Sequence, residues 1–181
     1  MAQPGKRNLI TDVDGLSVGN AQDISIQTGV SVLVPDQRAI CAVHIAGGGP
    51  GTRETDALKL GTLVDDVDAV VLSGGSVYGL AAADGVIAEL GAKGQGFGLT
   101  DLPGVPKSPI VPSAILYDLA NGGDKAWGTA PPYNQLGRKA LENASRDFSL
   151  GRAGAGYGAR AGSFQGGLGS ASIVSDDGFT V

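Results

Sequence analysis

Histidine and cysteine are almost absent from this sequence, and their scarcity excludes several kinds of site. The 181 residues include one histidine, His44, and one cysteine, Cys41. A zinc site built from His and Cys would lack ligands, and any Ser-His-Asp triad would have to use His44. No disulfide can form within the chain, which favours a reducing, cytoplasmic location. We therefore expect neither a metal site nor another cofactor.

Clustered positive charge and long apolar runs are also missing. The net charge is −5 at pH 7 and the isoelectric point is about 4.7, so we expect no nucleic-acid partner. No apolar run approaches the ~18 residues that a membrane-spanning helix requires. The first residues lack the apolar stretch of a signal peptide. The sequence thus predicts a protein without a membrane partner.

Glycine, by contrast, is abundant. The chain has 31 glycines among 181 residues, about 17%, whereas a typical share is about 7%. The glycines show no collagen-like period. This pattern predicts many tight turns and close backbone contacts. Hydrophobic residues make up 42% of the chain and charged residues 17%, as in globular proteins. The length predicts one domain over residues 1–181.

Alternating and periodic apolar patterns predict a mixed α/β (α+β) fold. Strands or strand-like segments are predicted at 16–18, 28–34, 39–46, 68–72, 113–119, 154–162 and 167–174. The second and third of these are expected to form a hairpin. Helices are predicted at 77–90 and 134–143, and Ser76 is the expected N-cap of the first helix.

The strand–turn–helix element at residues 68–90 is the first candidate site. Backbone N–H groups at a helix N-terminus suit an oxyanion or a substrate carboxylate. Ser73 has no obvious base nearby in the sequence. Tyr78 could orient a nucleophile or donate to an oxyanion, and ordinary packing is the alternative. The candidate substrate-binding residues are Gly74, Gly75 and Ser76.

A glycine run at residues 47–51 is the second candidate. One interpretation is an anion-binding nest with Arg53 as a donor, and the other is an irregular loop in which Arg53 pairs with a carboxylate of residues 54–56. His44 and Cys41 lie in the predicted strand 39–46, where we expect ordinary strand side chains. A third group, Lys125 and Trp127, is expected at the surface.

Six blocks of the sequence resemble one family. They are NLITDVDGLSVGNA (8–21), TGVSVLV (28–34), GGGPGTRETD (47–56), VDAVVLSGGSVYGLAAADGV (67–86), PIVPSAILYDL (109–119) and GRAGAGYGA…GGLGSAS (151–172). Their order and spacing are similar to the DmpA-like L-aminopeptidase/D-esterase family, which includes the nylon-oligomer hydrolases. The resemblance extends over essentially the whole chain.

The resemblance implies a fold and a chemistry. The fold would be an αββα-layered sandwich similar to the N-terminal-nucleophile (Ntn) hydrolases. The family is made as a precursor that cuts itself, and the new N-terminal Ser or Thr of the downstream β chain is the nucleophile. Tyr78 matches the family's active-site tyrosine, and Asn134 lies near the position of a catalytic lysine in the nylon-hydrolase branch.

The family's nucleophile segment, of the Asn-Thr-Thr type, has no counterpart here, and Thr180 does not match it. The resemblance therefore implies an α-chain portion, incomplete without a downstream β chain, in a homo-oligomer of αβ units. The turn at residues 176–178 is expected to open a further strand. Two other readings stay open at this point: a non-catalytic fragment that needs a partner, and an acyltransferase of the ornithine acetyltransferase type.

Overall fold

A five-stranded sheet forms the centre of the computed structural model, which describes residues 2–100 and 102–181. The strands are β2 (Leu16–Asp23), β3 (Thr28–Pro35), β4 (Thr52–Arg53), β5 (Val70–Ser73) and β6 (Ser113–Ile115). Their order in the sheet is β2-β3-β5-β6-β4. Only β5 and β6 run parallel; the other neighbours are antiparallel.

The longest pairing joins β2 to β3, and the sequence of β3 explains it. TGVSVLVP is rich in β-branched residues, which fit the pleated surface of a sheet. The antiparallel register runs from Leu16 opposite Pro35 to Asp23 opposite Thr28. The strand predicted at 28–34 is confirmed, and the strand predicted at 16–18 extends further than expected. The other edge of β3 pairs with β5.

Two helices, α1 (Ala81–Ala92) and α2 (Tyr133–Glu142), cover one face of the sheet. The core between them consists of small and β-branched side chains, with Val30, Val32, Val71 and Val86 fully buried. Alternation along the strands selects these residues, because every second side chain of a strand points to the same face.

Glycine lets α1 and α2 approach very closely. A Cβ at Gly85 would lie under 3.0 Å from the backbone carbonyl oxygen of Asn134, and one at Gly137 would similarly meet that of Ala82. Each glycine therefore receives the backbone of the opposite helix. This contact fixes the position of the first turn of α2, which borders the candidate site.

The opposite face of the sheet is only partly covered, by the 3-10 turn at Gly154–Gly156, which packs on β3. Leu33, Val70 and Leu72 point away from the helices, and Leu72 is 44% exposed. Together with Phe148 and Leu168 they line an apolar groove of about 640 Å³. A sheet whose second face is apolar needs a further layer to bury that face.

The strand predicted at 39–46 is wrong. These residues are irregular and mostly exposed, with Ile40 at 89%, and only Ala39 forms an isolated bridge, to Val67. The expected hairpin does not form because β3 already pairs with β2 and β5 along both edges. His44 is consequently exposed, and Cys41 is half-buried.

The glycine-rich C-terminal third is mostly turns, contrary to the two long strand-like segments predicted there. It contains a 3-10 turn at Gly154–Gly156 and three two-residue strands. These strands are β7 (Arg160–Ala161), β8 (Phe164–Gln165) and β9 (Ile173–Val174), of which β9 pairs with β1 (Gln3–Pro4). The predicted turn at 176–178 is present, and Val181 returns to exchange backbone hydrogen bonds with Ile173.

The helices of the described residues are all too short or too polar to cross a bilayer.

Candidate active site

The segment after β5 forms a sharp turn that leads into α1. Gly75 and Ser76 both adopt left-handed backbone conformations, with φ of 86° and 52°. A positive φ is ordinary for glycine but costs about 1 kcal/mol or more for serine. A 3-10 turn, Ser76–Leu80, precedes α1. The predicted N-cap role of Ser76 is therefore wrong: Ser76 begins the 3-10 turn, and α1 begins at Ala81.

The backbone N–H groups of this turn are already engaged within the chain. Gly74 donates to the carbonyl of Gly29 at 2.9 Å, and Ser76 donates to that of Leu116 at 3.0 Å. Gly75 donates to Oδ1 of Asp118 at 2.7 Å. A direct interaction of these three groups with a substrate would require one of these bonds to open, so their assignment as substrate-binding residues stays a prediction.

Tyr78 lies on the 3-10 turn, 47% exposed, at the end of a row of three aromatic rings. Its ring meets the edge of Trp127 with centroids 5.6 Å apart, and Trp127 meets Tyr133 in the same way at 5.9 Å. Edge-to-face pairs at this spacing are favourable. The prediction that Trp127 lies at the surface is wrong, because its side chain is half-buried and packs against the core. The contact with Trp127 holds one side of the Tyr78 ring, and the rest of the Tyr78 side chain stays accessible to solvent.

Tyr133 is completely buried at the inner end of this row. Burial raises the pKa of its hydroxyl to about 12, and the nearby Asp118 carboxylate adds to the rise. The hydroxyl of Thr28 donates a hydrogen bond to Asp118, and Oη of Tyr133 has no hydrogen-bond partner among the described residues. The hydroxyl thus stays protonated at any physiological pH.

Asn134 follows Tyr133 in the first turn of α2. Its Oδ1 accepts a hydrogen bond from Nε of Arg138 at 3.1 Å, and Arg138 also pairs with Glu89 of α1. Within the described residues, no hydrogen bond joins Asn134 to the turn that carries Tyr78. The structure therefore places Asn134 on the helix beside the candidate site.

The 47–51 glycine run does not form a nest around Arg53. Its residues are almost all exposed, and Arg53 instead pairs with Asp84 of α1 at 2.7 Å. It also donates to the carbonyl of Leu80. The bond to Asp84 raises the pKa of Arg53 further. Arg53 thus ties β4 to the start of α1, and the neighbouring carboxylates do not pair with it.

The residue that sequence reasoning missed is Asp118. It is 2% exposed and lies just beyond β6, in the PIVPSAILYDL block. Its sequence context, an acidic residue after an apolar strand, gave a weak signal, because only the folded chain brings Thr28 and Gly75 to it.

Lys125 was expected at the surface, but its ammonium donates to Asn121 and to the carbonyl of Ile26.

Comparison with known proteins decides the family. The profile of Peptidase family S58 matches residues 8–181. The chain belongs to peptidase family S58. The resemblance read from the six sequence blocks is thereby confirmed.

Two relatives illustrate the range of the S58 family. An uncharacterised aminopeptidase of Mycobacterium tuberculosis is 43% identical over 182 residues, which cover 96% of this chain and 51% of the relative. A 6-aminohexanoate-oligomer endohydrolase of Kocuria sp. is 35% identical over 159 residues, covering 87% of this chain and 40% of the relative. The chain spans about half the length of the curated relatives that it matches.

Solved structures show the fold of this S58 chain. A beta-aminopeptidase of Burkholderia sp. superposes with a TM-score of 0.75 at 21% identity, over 98% of this chain and 50% of that one. An L-aminopeptidase D-Ala-esterase/amidase of Ochrobactrum anthropi, described as a variant of the Ntn-hydrolase fold, gives 0.69 at 21% identity, over 91% and 48%. The predicted Ntn-like fold is confirmed.

Proposed function

We propose that this chain is the upstream α portion of a self-cleaving Ntn amide hydrolase. The observation that carries the proposal is the S58 match over residues 8–181 together with a length of about half that of its relatives. The scarcity of histidine and cysteine agrees with it, because an N-terminal Ser or Thr can use its own α-amine as the base. The nucleophile would come from a downstream β chain.

The partner in this proposal is a downstream β chain that packs on the uncovered part of this sheet face. The groove lined by Leu33, Val70 and Leu72 offers an apolar surface of the right kind, since a second sheet would turn the single layer into a sandwich. We propose an obligate interface, above ~2,000 Å² in total. Such αβ units would associate further into a homo-oligomer in the cytoplasm.

Within the assembled site, we propose that Tyr78 contacts the reacting groups. It is the accessible end of a rigid row of rings, so its hydroxyl has a fixed direction without being buried. Gly74, Gly75 and Ser76 would shape the wall beside it. Asn134 would act from the first turn of α2, but its bond to Arg138 would have to be exchanged for one to substrate.

The substrates would be the N-terminal residues of short peptides, amino-acid amides or esters, or oligomers of ω-amino acids. The names of the relatives support both classes, aminopeptidase and 6-aminohexanoate-oligomer endohydrolase. Identity is higher to the aminopeptidases, at 43% against 35%. We therefore place aminopeptidase-type substrates first.

The test is a substrate panel applied to the full-length gene product. Amino-acid p-nitroanilides, D-amino-acid esters and 6-aminohexanoate oligomers are compared by kcat/KM, and acetyl transfer to ornithine is assayed in parallel. Release of p-nitroaniline above a heat-treated sample is the expected result. Acetyl transfer without any hydrolysis would replace the proposal by the acyltransferase alternative.

A further inference from the structure

Four segments of the chain meet at one buried carboxylate, that of Asp118. Oδ2 accepts the hydroxyl hydrogen of Thr28 at 2.6 Å, and Oδ1 accepts the N–H of Gly75 at 2.7 Å. Two further glycines leave room for it. A Cβ at Gly158 would lie 2.7 Å from Oδ2, and a Cβ at Gly74 would meet the same oxygen more closely still. These segments are four of the six blocks that identify the family, so the blocks converge in space on Asp118.

Within residues 2–100 and 102–181, the Asp118 carboxylate has no ion-pair partner. None of the ion pairs among the described residues includes Asp118, although it is 2% exposed. A buried charge is costly unless hydrogen bonds compensate for it, and such bonds to an ionised acceptor are stronger than neutral ones. A neutral side chain could fill the same space at a lower desolvation cost. The hydrogen bonds from Thr28 and Gly75 therefore compensate for the burial of the Asp118 carboxylate.

Two side chains, those of Asp118 and Tyr133, hold Gly75 in place. The Asp118 carboxylate binds its N–H, and the ring of Tyr133 lies where a Cβ would be. The left-handed backbone continues into Ser76, whose φ of 52° is strained for a residue with a side chain. Strain of this kind persists only where the surroundings hold it in place. Tyr78 lies two residues after Ser76, and its N–H donates to the carbonyl of Gly75 at 3.2 Å.

We propose that Asp118 is a positioning residue for Tyr78. By holding the N–H of Gly75, it fixes the left-handed turn and so the direction of the Tyr78 hydroxyl, while Thr28 fixes the rotamer of Asp118. The inference rests on the proposed function, because it assigns Tyr78 a role in the reaction. A displacement of about 1 Å at a reacting group can cost ~100-fold in rate.

The test uses a mutant cycle in the full-length protein. Asp118→Asn removes the charge and one acceptor at nearly constant size, and it should lower kcat about 10–100-fold with little change in KM. In a Tyr78→Phe background the same substitution should cost less than about threefold, because both act through one hydroxyl. An undiminished loss in that background would overturn the proposal, as would an unchanged kcat for Asp118→Asn.

Asp68→Asn is the matched control. Asp68 is also buried, at 8%, and also accepts a backbone N–H, that of Ile110 at 2.7 Å, but it lies away from the turn. Unlike Asp118, it also has a counter-ion, the guanidinium of Arg38 at 3.4 Å. Asp68→Asn should lower the melting temperature while leaving kcat unchanged below that temperature. If Asp118→Asn does not fold, Thr28→Val replaces it, with a smaller loss of kcat expected and the same cycle with Tyr78→Phe.

A spectroscopic readout separates this inference from the proposed function. Trp127 touches the Tyr78 ring, so its near-ultraviolet circular dichroism, identified by subtracting a Trp127→Phe spectrum, reports the ring's orientation. Asp118→Asn should alter this signal and Asp68→Asn should not. Absence of hydrolysis in the wild type would refute the function alone, and an unchanged Trp127 signal in Asp118→Asn would refute the positioning role.

Discussion

Two alanine substitutions in the same helix should shift stability in opposite directions. Gly85 and Gly91 both lie in α1, and alanine is favoured over glycine in helices by about 0.5–1 kcal/mol. At Gly91 the added Cβ would find its nearest atoms, those of Pro109, at 3.8 Å, an ordinary contact. Gly91→Ala should therefore stabilise the protein by up to about 1 kcal/mol.

At Gly85 the packing term wins. The new Cβ would meet the carbonyl oxygen of Asn134 under 3.0 Å, whereas ordinary contacts begin at 3.4 Å. The obstacle is backbone, which cannot rotate away, so α2 must shift as a unit. Overpacking of this kind costs ~1–3 kcal/mol, occasionally more. Gly85→Ala should be destabilised despite its better helix propensity, with a fall in melting temperature of about 2–10 °C.

Thermal unfolding of the wild type and both variants, side by side, checks this reasoning. The expected order of melting temperatures is Gly91→Ala, wild type, Gly85→Ala. A Gly85→Ala protein as stable as Gly91→Ala would show that the helices are not in backbone contact at that position. The described position of Tyr133 against Gly75 would then lose its support, because α2 carries Tyr133.

Three further outcomes are expected. Tyr78→Phe in the complete protein should keep the fold, since the ring contact with Trp127 remains, and should lower kcat/KM about 10–1000-fold; an unchanged kcat/KM would assign Tyr78 to packing alone. Tyr133→Phe should flatten the alkaline loss of stability. The pKa of Tyr133 is raised from 10.0 to about 12, so its contribution is complete below pH 10 and is lost as pH rises through about 12, at ~1.4 kcal/mol per unit. Urea unfolding at pH 9 to 12 measures the free energy of unfolding at each pH, with the exposed Tyr117→Phe as the control. An equal dependence of this free energy on pH in wild type and Tyr133→Phe would contradict the prediction. Finally, the 181-residue chain alone should hydrolyse no amino-acid p-nitroanilide or ester, and turnover above a heat-treated control would make Ser73 and Ser76 candidate nucleophiles.

The sequence predicted those elements whose pattern is set by their own burial. β3, β5 and α2 each alternate or repeat in register with the face that they bury, and their observed bounds lie within two residues of the predicted ones. The segment 39–46 has the same apolar composition but no neighbouring strand. Composition alone does not distinguish a strand that has a partner from one that lacks it.

The strand prediction for the glycine-rich C-terminal segment failed for a different reason. A Cβ at Gly29 would meet the carbonyl oxygen of Gly154, so the 3-10 turn at Gly154–Gly156 packs directly on the backbone of β3. Small residues there serve contact between distant backbones, which local periodicity does not record. Asp118 was missed likewise, since its partners Thr28 and Gly75 lie 90 and 43 residues away.

The intact mass of the purified full-length gene product tests the central claim most directly. If this chain is the upstream part of a self-cleaving S58 hydrolase, the product should appear as two fragments that co-purify, and the downstream fragment should begin with Ser or Thr. Replacing that residue by alanine should leave one uncut chain without hydrolase activity. A single uncut wild-type chain that hydrolyses these substrates at full rate would contradict the account.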